Sequence, residues 1–221
     1  MTRVLSRALS TVLFPGILLL LTAASPQMVL SLSEQHLASQ IGFEADVLLL
    51  IKEEARGQLH RLSGYDADEY QIMANGVAIS VPWGRSDQVL WSLRKKLKPL
   101  NYMAFQIEIN SALKVDRIAI IKGSDQYDIL RIMHTNGDDD GVSHEDVVAK
   151  LKQWEKRVQI EVVGAENDWV EIELRTMPQD LTKFAKAVYE FSPDTVDEGT
   201  GSLEELIKDI STTKRLVLWW N

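Results

Sequence analysis

Apolar residues recur along this chain with two different periods, and the places where the period changes mark out its elements. Leu48, Ile51, Ala55, Leu59 and Leu62 fall three or four apart, which predicts a core-facing helix from an N-cap at Asp46 to Leu62. Val77, Ile79 and Val81 alternate with Ala78 and Ser80 and stop at Pro82, as a strand does where a ladder donor is missing. Ser86 then stands where it could cap a helix carrying Val89, Leu90, Leu93 and Leu97. Beyond Pro99, Met103, Phe105, Ile107 and Ile109 alternate with smaller or polar residues as a half-buried strand. Ile118 to Ile121 is apolar throughout, the pattern of a strand covered on both faces. A turn at Gly123-Ser124-Asp125 leads to a strand expected over Tyr127 to His134, closing an antiparallel meander.

The second half carries clearer punctuation. Ser143 with Asp146, and Ser202 with Glu205, have the spacing of a capping box, in which the N-cap side chain and the third helical residue satisfy each other's backbone N–H groups. The first opens a helix with Val147, Val148, Leu151, Trp154 and Val158, the second one with Leu203, Leu206, Ile207 and Ile210. Between them lie strands at Gln159 to Gly164 and Trp169 to Arg175, and a helix started by Pro178 that presents Leu181, Phe184, Ala185 and Val188. Arg215 to Trp220 forms the last strand. Strands and helices mix without a strict βαβ repeat, so the fold class is α+β: a mixed, largely antiparallel sheet with helices packed on it. The one soft boundary, near Pro99-Leu100, divides an N-terminal α/β region (25–101) from a C-terminal α+β domain (102–221).

Composition removes several functions. The chain has 221 residues, 24 Lys and Arg against 32 Asp and Glu, a net charge of −8, and no Cys. Thiol nucleophiles, disulfides and thiolate metal sites are therefore absent. The longest basic cluster is Arg94-Lys95-Lys96, too little to neutralise a phosphate backbone, so no nucleic-acid partner is expected. Arg3 and Arg7, an apolar stretch from Val12 to Leu21 and the small residues Thr22, Ala23 and Ala24 have the form of an export signal over 1–24, predicting a periplasmic or extracellular protein with no membrane span after cleavage. An uncleaved N-terminal anchor is the alternative. Losing Arg3 and Arg7 with the segment takes the charge from −8 to −10.

Four groups of residues invite a chemical reading. Asn136-Gly137-Asp138-Asp139-Asp140-Gly141 resembles part of a calcium loop, but its twelfth position is Val147 where a bidentate Glu is needed. His134 and His144 flank that turn, without the spacing of a zinc pair. No metal or other cofactor is expected. On the strand from Trp169, period two puts Val170, Ile172 and Leu174 on one face and Trp169, Glu171, Glu173 and Arg175 on the other. With Asp168 and Asp194 this gives carboxylates for acid–base work, or simply a charged outer face. Trp219 and Trp220 are adjacent on a strand, so at least one ring is core, and the other either seals the sheet against a helix or forms an aromatic platform.

Thr135-Asn136-Gly137, Glu145-Asp146-Val147, Trp154, Gly164-Ala165, Asp168-Trp169-Val170-Glu171, Phe191-Ser192-Pro193-Asp194, Gly199-Thr200-Gly201 and Leu218-Trp219-Trp220, in that order, resemble the bacterial family labelled domain of unknown function 4253. The resemblance runs from about Tyr102 to Asn221. It implies a domain and brings no activity with it. The chain thus reads as an exported bacterial binding or interaction protein without catalysis, in its most specific form an immunity-type inhibitor of a secreted toxin. Its expected partner is a basic protein and its binding residues are Asp168, Trp169, Glu171, Asp194 and Trp219. The alternative is a cell-envelope hydrolase using carboxylates near Asp168, Glu171 and Asp194.

Overall fold

The computed structural model describes residues 28–110 and 112–221; the expected export segment lies outside them. Seven strands form one sheet: β1 (Leu59–Tyr65), β2 (Gln71–Pro82), β3 (Tyr102–Asn110), β4 (Val115–Lys122), β5 (Ile160–Ala165), β6 (Trp169–Leu174) and β7 (Arg215–Trp219). Their order is β1-β2-β4-β3-β5-β6-β7, and each neighbouring pair is antiparallel except β3 with β5. The helices are α1 (Leu32–Ile41), α2 (Ala45–Ala55), α3 (Ser86–Leu97), α4 (Tyr127–Met133), α5 (His144–Glu155), α6 (Leu181–Tyr189) and α7 (Leu203–Thr213). The expected α+β class is what the chain adopts. Strands from both sides of residue 101 join in the one sheet, through the β2–β4 ladder from Gly76 with Ile121 to Pro82 with Val115.

Two apolar clusters lie on opposite faces of this sheet. On one, α1–α3 cover Val77, Ile79, Val81, Ala104, Ile118 and Ile120. On the other, α4–α7 cover Phe105, Ala119, Ile121, Val162, Ile172 and Leu218. The β4 run is therefore buried on both faces, as its unbroken apolar sequence requires. Each fully buried Leu or Ile in these layers is worth about 2–5 kcal/mol against truncation to Ala.

Several local expectations are corrected. The helix expected to run to Leu62 stops at Ala55, where Arg56 adopts a left-handed conformation (φ 53°) and ends it. Leu59 and Leu62 belong to β1 and, three residues apart on a strand, enter opposite clusters. Their helical spacing was shared by chance with a strand that feeds both layers. Tyr127 to Met133 is a helix, because the Asp125 side chain accepts the Tyr127 N–H (3.0 Å) and its carbonyl accepts that of Asp128 (2.9 Å). Tyr127, Leu130 and Met133 then fall on one buried face. Ser86 is the first residue of α3 and makes no cap. Asp180, not Pro178, opens α6, its side chain accepting the Lys183 N–H at 2.8 Å. Ser143 and Asp146 do form the reciprocal box, and Ser202 accepts the Glu205 N–H at 3.2 Å.

Candidate functional site

Alternation along β6 is as expected, with Val170, Ile172 and Leu174 in the core. Its charged side is not an open outer face. The helix α3 lays Asp87, Trp91 and Arg94, spaced four and three apart, against that side of the three strands β5–β7. Arg215 pairs with Asp87 (2.8 Å) and with Glu171 (3.2 Å). Arg175 lies 2.9 Å from Glu173, whose Oε2 is sequestered without a hydrogen bond of good geometry. The guanidinium carbons of Arg94, Arg175 and Arg215 stand 5.5, 5.2 and 5.8 Å from the centre of the Trp91 ring, within cation–π range. Glu171 is consequently buried. Burial pushes its carboxyl above the usual carboxylate range, and the charge of Arg215 only partly opposes this.

The other candidate residues gather where β6 and β7 meet the end of the chain. Trp169 and Trp219 are register partners on the same face as Glu171. Both are half-buried, and Val217 beside them is exposed. Trp220 turns into the core, so the expected division of the two rings holds. Asp168 is an exposed turn residue whose carbonyl accepts the Trp220 N–H (3.1 Å), while Asp194 accepts the Asn221 N–H (2.9 Å). Glu171 and Asp194 thus have separate structural partners, one on the sheet face and the other at the chain end.

Residues that carried the family resemblance hold one another in this region. Buried Ser192, just after α6, and Thr195, which opens a π-helical segment (Thr195–Thr200), place their hydroxyls 3.2 and 3.1 Å from the Trp219 N–H, and Ser192 donates to the Trp219 carbonyl at 2.7 Å. They take the role of a further strand on the outer edge of β7. Thr135 donates to the Glu166 carbonyl (2.7 Å), and the Asn136 N–H to that of Asn167 (2.8 Å), tying the α4 exit to the β5–β6 turn. A Cβ at Gly137 would lie 2.5 Å from the Trp220 ring, which explains a glycine there. Phe191 meets Trp220 edge-on at 5.8 Å and Trp154 at 6.1 Å. The shared motifs are therefore a mutual brace for one end of the sheet.

The turn once compared with a calcium loop is also committed to structure. Asn136 is buried, donates to Glu69 (2.8 Å), and its side-chain oxygen accepts the Asp138 N–H (2.9 Å). Among the described residues no group of three or more His, Cys, Asp or Glu side chains converges as a metal site. His134 and His144 stack at 5.0 Å, and burial lowers the His144 pKa despite its bond to the Thr135 carbonyl.

A second feature has little trace in the sequence. β3 and β5 pair only at Gln106 and Gly164, with the Trp169 ring so close over Gly164 that a Cβ would sit 2.8 Å from it. On the side of Tyr102 and Ile160 the strands part, and Arg94 bridges the gap while Gln126 ties β5 to α5 beside it. Arg94 donates to Ala104 O (2.7 Å) on β3, to Val162 O (3.0 Å) on β5, and to Glu161. Gln126 accepts the Val162 N–H (2.8 Å) and donates to Glu155 (2.9 Å). Burial pushes Glu161 up, but hydrogen bonds and charge from Arg94, then Arg175, outweigh it and hold the carboxyl below the usual range. Beside this bridge opens a cleft of about 810 Å³, walled by Trp91, Tyr102 and Tyr127 and rimmed by Lys95, Lys98 and Arg175. The only sequence signal for it was the Arg94-Lys95-Lys96 cluster next to Trp91.

Residues 117–221 match the model of the family described as Domain of unknown function (DUF4253), in agreement with the resemblance over the C-terminal half. No curated protein and no solved structure matches the chain.

Proposed function

We propose that this chain is an exported bacterial binding protein that catalyses no reaction and docks a basic polypeptide, its most specific form being an immunity-type inhibitor of a secreted toxin. The docking face is the patch at the end of β6 and β7 formed by exposed Val217 and half-buried Trp169 and Trp219, flanked by Asp168 and Asp194. The observation that carries this reading is the joining of that apolar centre to an acidic rim. From Asp197 to Asp209 the exposed charged residues are Asp197, Glu198, Glu204, Glu205 and Asp209 against Lys208 alone, and Lys208 is already paired with Glu205 (2.8 Å). Asn221 ties Glu198 to the chain end at 3.2 Å, so the acidic run meets the patch at Glu198, and Glu204, Glu205 and Asp209 continue it along α7 on the other side of the sheet. Aromatic centres with charged surrounds are the usual anatomy of tight interfaces, and the sign of the rim selects a cationic partner and speeds its arrival.

Export, the partner's charge and the patch can be tested together. Tagged Ser25–Asn221 and its V217R and D197K/E198K variants would be used to recover partners from the native envelope at low and high salt. One basic protein, bound in stoichiometric amount, released by salt and lost in both variants, is expected. Recovery that is indifferent to salt and to both variants would reject the docking face. The hydrolase reading has in its favour only the raised protonation of Glu171, and that carboxyl is held by Arg215.

A further inference from the structure

We propose that the cleft between the parted ends of β3 and β5 binds a small, multiply charged anion bearing phosphate groups or several carboxylates, with Lys95 and Lys98 recognising its charge and Ser124 and Gln159 supplying neutral hydrogen bonds. This site is separate from the docking face and does not depend on it. Its volume of about 810 Å³ falls within the range of pockets that enclose metabolite-sized ligands, roughly 300–1,000 Å³. The sign of the ligand follows from which lining charges are already spoken for. Glu155 receives the Tyr127 hydroxyl (2.8 Å) and the Gln126 amide (2.9 Å). Glu161 is held by Arg94 and by Arg175 (2.8 Å from Nε), and Asp125 by Arg131 (3.2 Å). Every acid of the lining therefore has its cation or donor. Among the described residues, Lys95 and Lys98 have no ion-pair partner, and both are exposed. Glu155 keeps its charge, since its donors are neutral, but Arg94, Lys95, Lys98 and Arg175 against Asp125, Glu155 and Glu161 still leave this recess of an acidic chain net positive by 4 − 3 = 1.

The C-terminus of α3 lies at the same place and itself favours cations, but a helix end carries only about half a charge. Arg94 and Lys96, the latter paired with Glu54, already stand in its last turn. Lys95 and Lys98 are surplus to that need. The two arginines of the lining present their forks to Glu161, so the ligand meets point-like ammonium groups. These suit phosphate oxygens or several carboxylates better than they suit one planar carboxylate.

Pyrophosphate and citrate are suitable probes, with a neutral sugar as control, titrated into Ser25–Asn221 at low salt and followed by amide chemical shifts. Saturable binding of at least one anion, with shifts at the Ser124 and Gln159 amides and weakening as salt is raised, is the expected result. K95A/K98A should lower that affinity about tenfold or more while leaving the melting temperature within a few degrees, since both side chains are exposed. Two outcomes overturn the proposal: neither anion binding at about 10 mM, or binding that K95A/K98A leaves unchanged.

Discussion

Arg94 joins β3 to β5 with hydrogen bonds to both strands, and replacing it by Met isolates that contribution. Met keeps the apolar stem against Trp91 and deletes the guanidinium. Three acceptors lose a donor: Ala104 O, Val162 O and Glu161. Removing one partner of a fully buried ion pair costs about 3–5 kcal/mol, but here the side chains of Arg94 and Glu161 retain 14% and 29% exposure and Arg175 remains on Glu161. The pair's share is therefore discounted to roughly 1–2 kcal/mol, and the two carbonyls add about 0.5–1 kcal/mol each. A loss of about 2–4 kcal/mol results, which for a chain of this size lowers Tm by roughly 4–16 °C. R94K keeps the charge but cannot reach both strands and the carboxylate with one ammonium group, so it should recover less than half of the loss. Urea unfolding followed by tryptophan fluorescence measures each variant, and the R94M/E161Q cycle isolates the pair, with an expected coupling of about 1 kcal/mol. An R94M loss below about 0.5 kcal/mol, or full recovery in R94K, would refute the bridging role.

Other predictions concern the brace and its surroundings. G137A places a methyl group 2.5 Å from the Trp220 ring and should cost about 1–3 kcal/mol by overpacking, seen as a lower urea midpoint. S192A/T195V removes both hydroxyls facing the Trp219 N–H; the expected loss is about 1–3 kcal/mol, with faster hydrogen exchange at that amide, and unchanged exchange would count against edge protection. His144, whose pKa burial lowers from 6.5, contributes stability that is fully present above that value and is lost as pH falls below it toward the folded pKa, because the unfolded chain takes up the proton first. H144Q should therefore flatten the slope of stability against pH below about 6.5 relative to the native chain. Glu166 and Glu171, both raised chiefly by burial, act with the opposite sign, gaining stability as pH falls from neutrality toward 4.5. E171Q should remove part of that gain, read from the same urea series.

Periodicity made most of the C-terminal half legible because its helices begin with side chains that cap them and its strands face one apolar layer. Ser31 with Glu34 was an equally readable signal for α1, where the reciprocal box is formed and Gly42 closes the helix in a left-handed conformation. No strong apolar stripe follows it to mark the helix by period. Leu59 and Leu62 misled because a strand serving two cores has no single apolar face, and Tyr127 to Met133 because a helix of two turns leaves too few residues to distinguish the two periods. At the candidate sites, alternation correctly separated Val170 and Ile172 from Trp169 and Glu171. It could not show that α3, from the other half of the chain, would come down on those charges. The cleft was beyond local pattern altogether, since it exists only where two strands distant in sequence lie parallel and diverge.

The interleaving of strands also limits where this chain can be shortened. The stretch that matches the family begins at residue 117, within β4, yet the parallel neighbour of β5 is β3, which precedes it. A fragment starting at 117 would hold β4 and β5 with an empty lane between them, one strand wide, and would leave Gly164 and the Trp169 ring without Gln106 to lie against. Truncation from the N-terminus therefore reaches its natural limit before Tyr102, whatever boundary the shared motifs suggest.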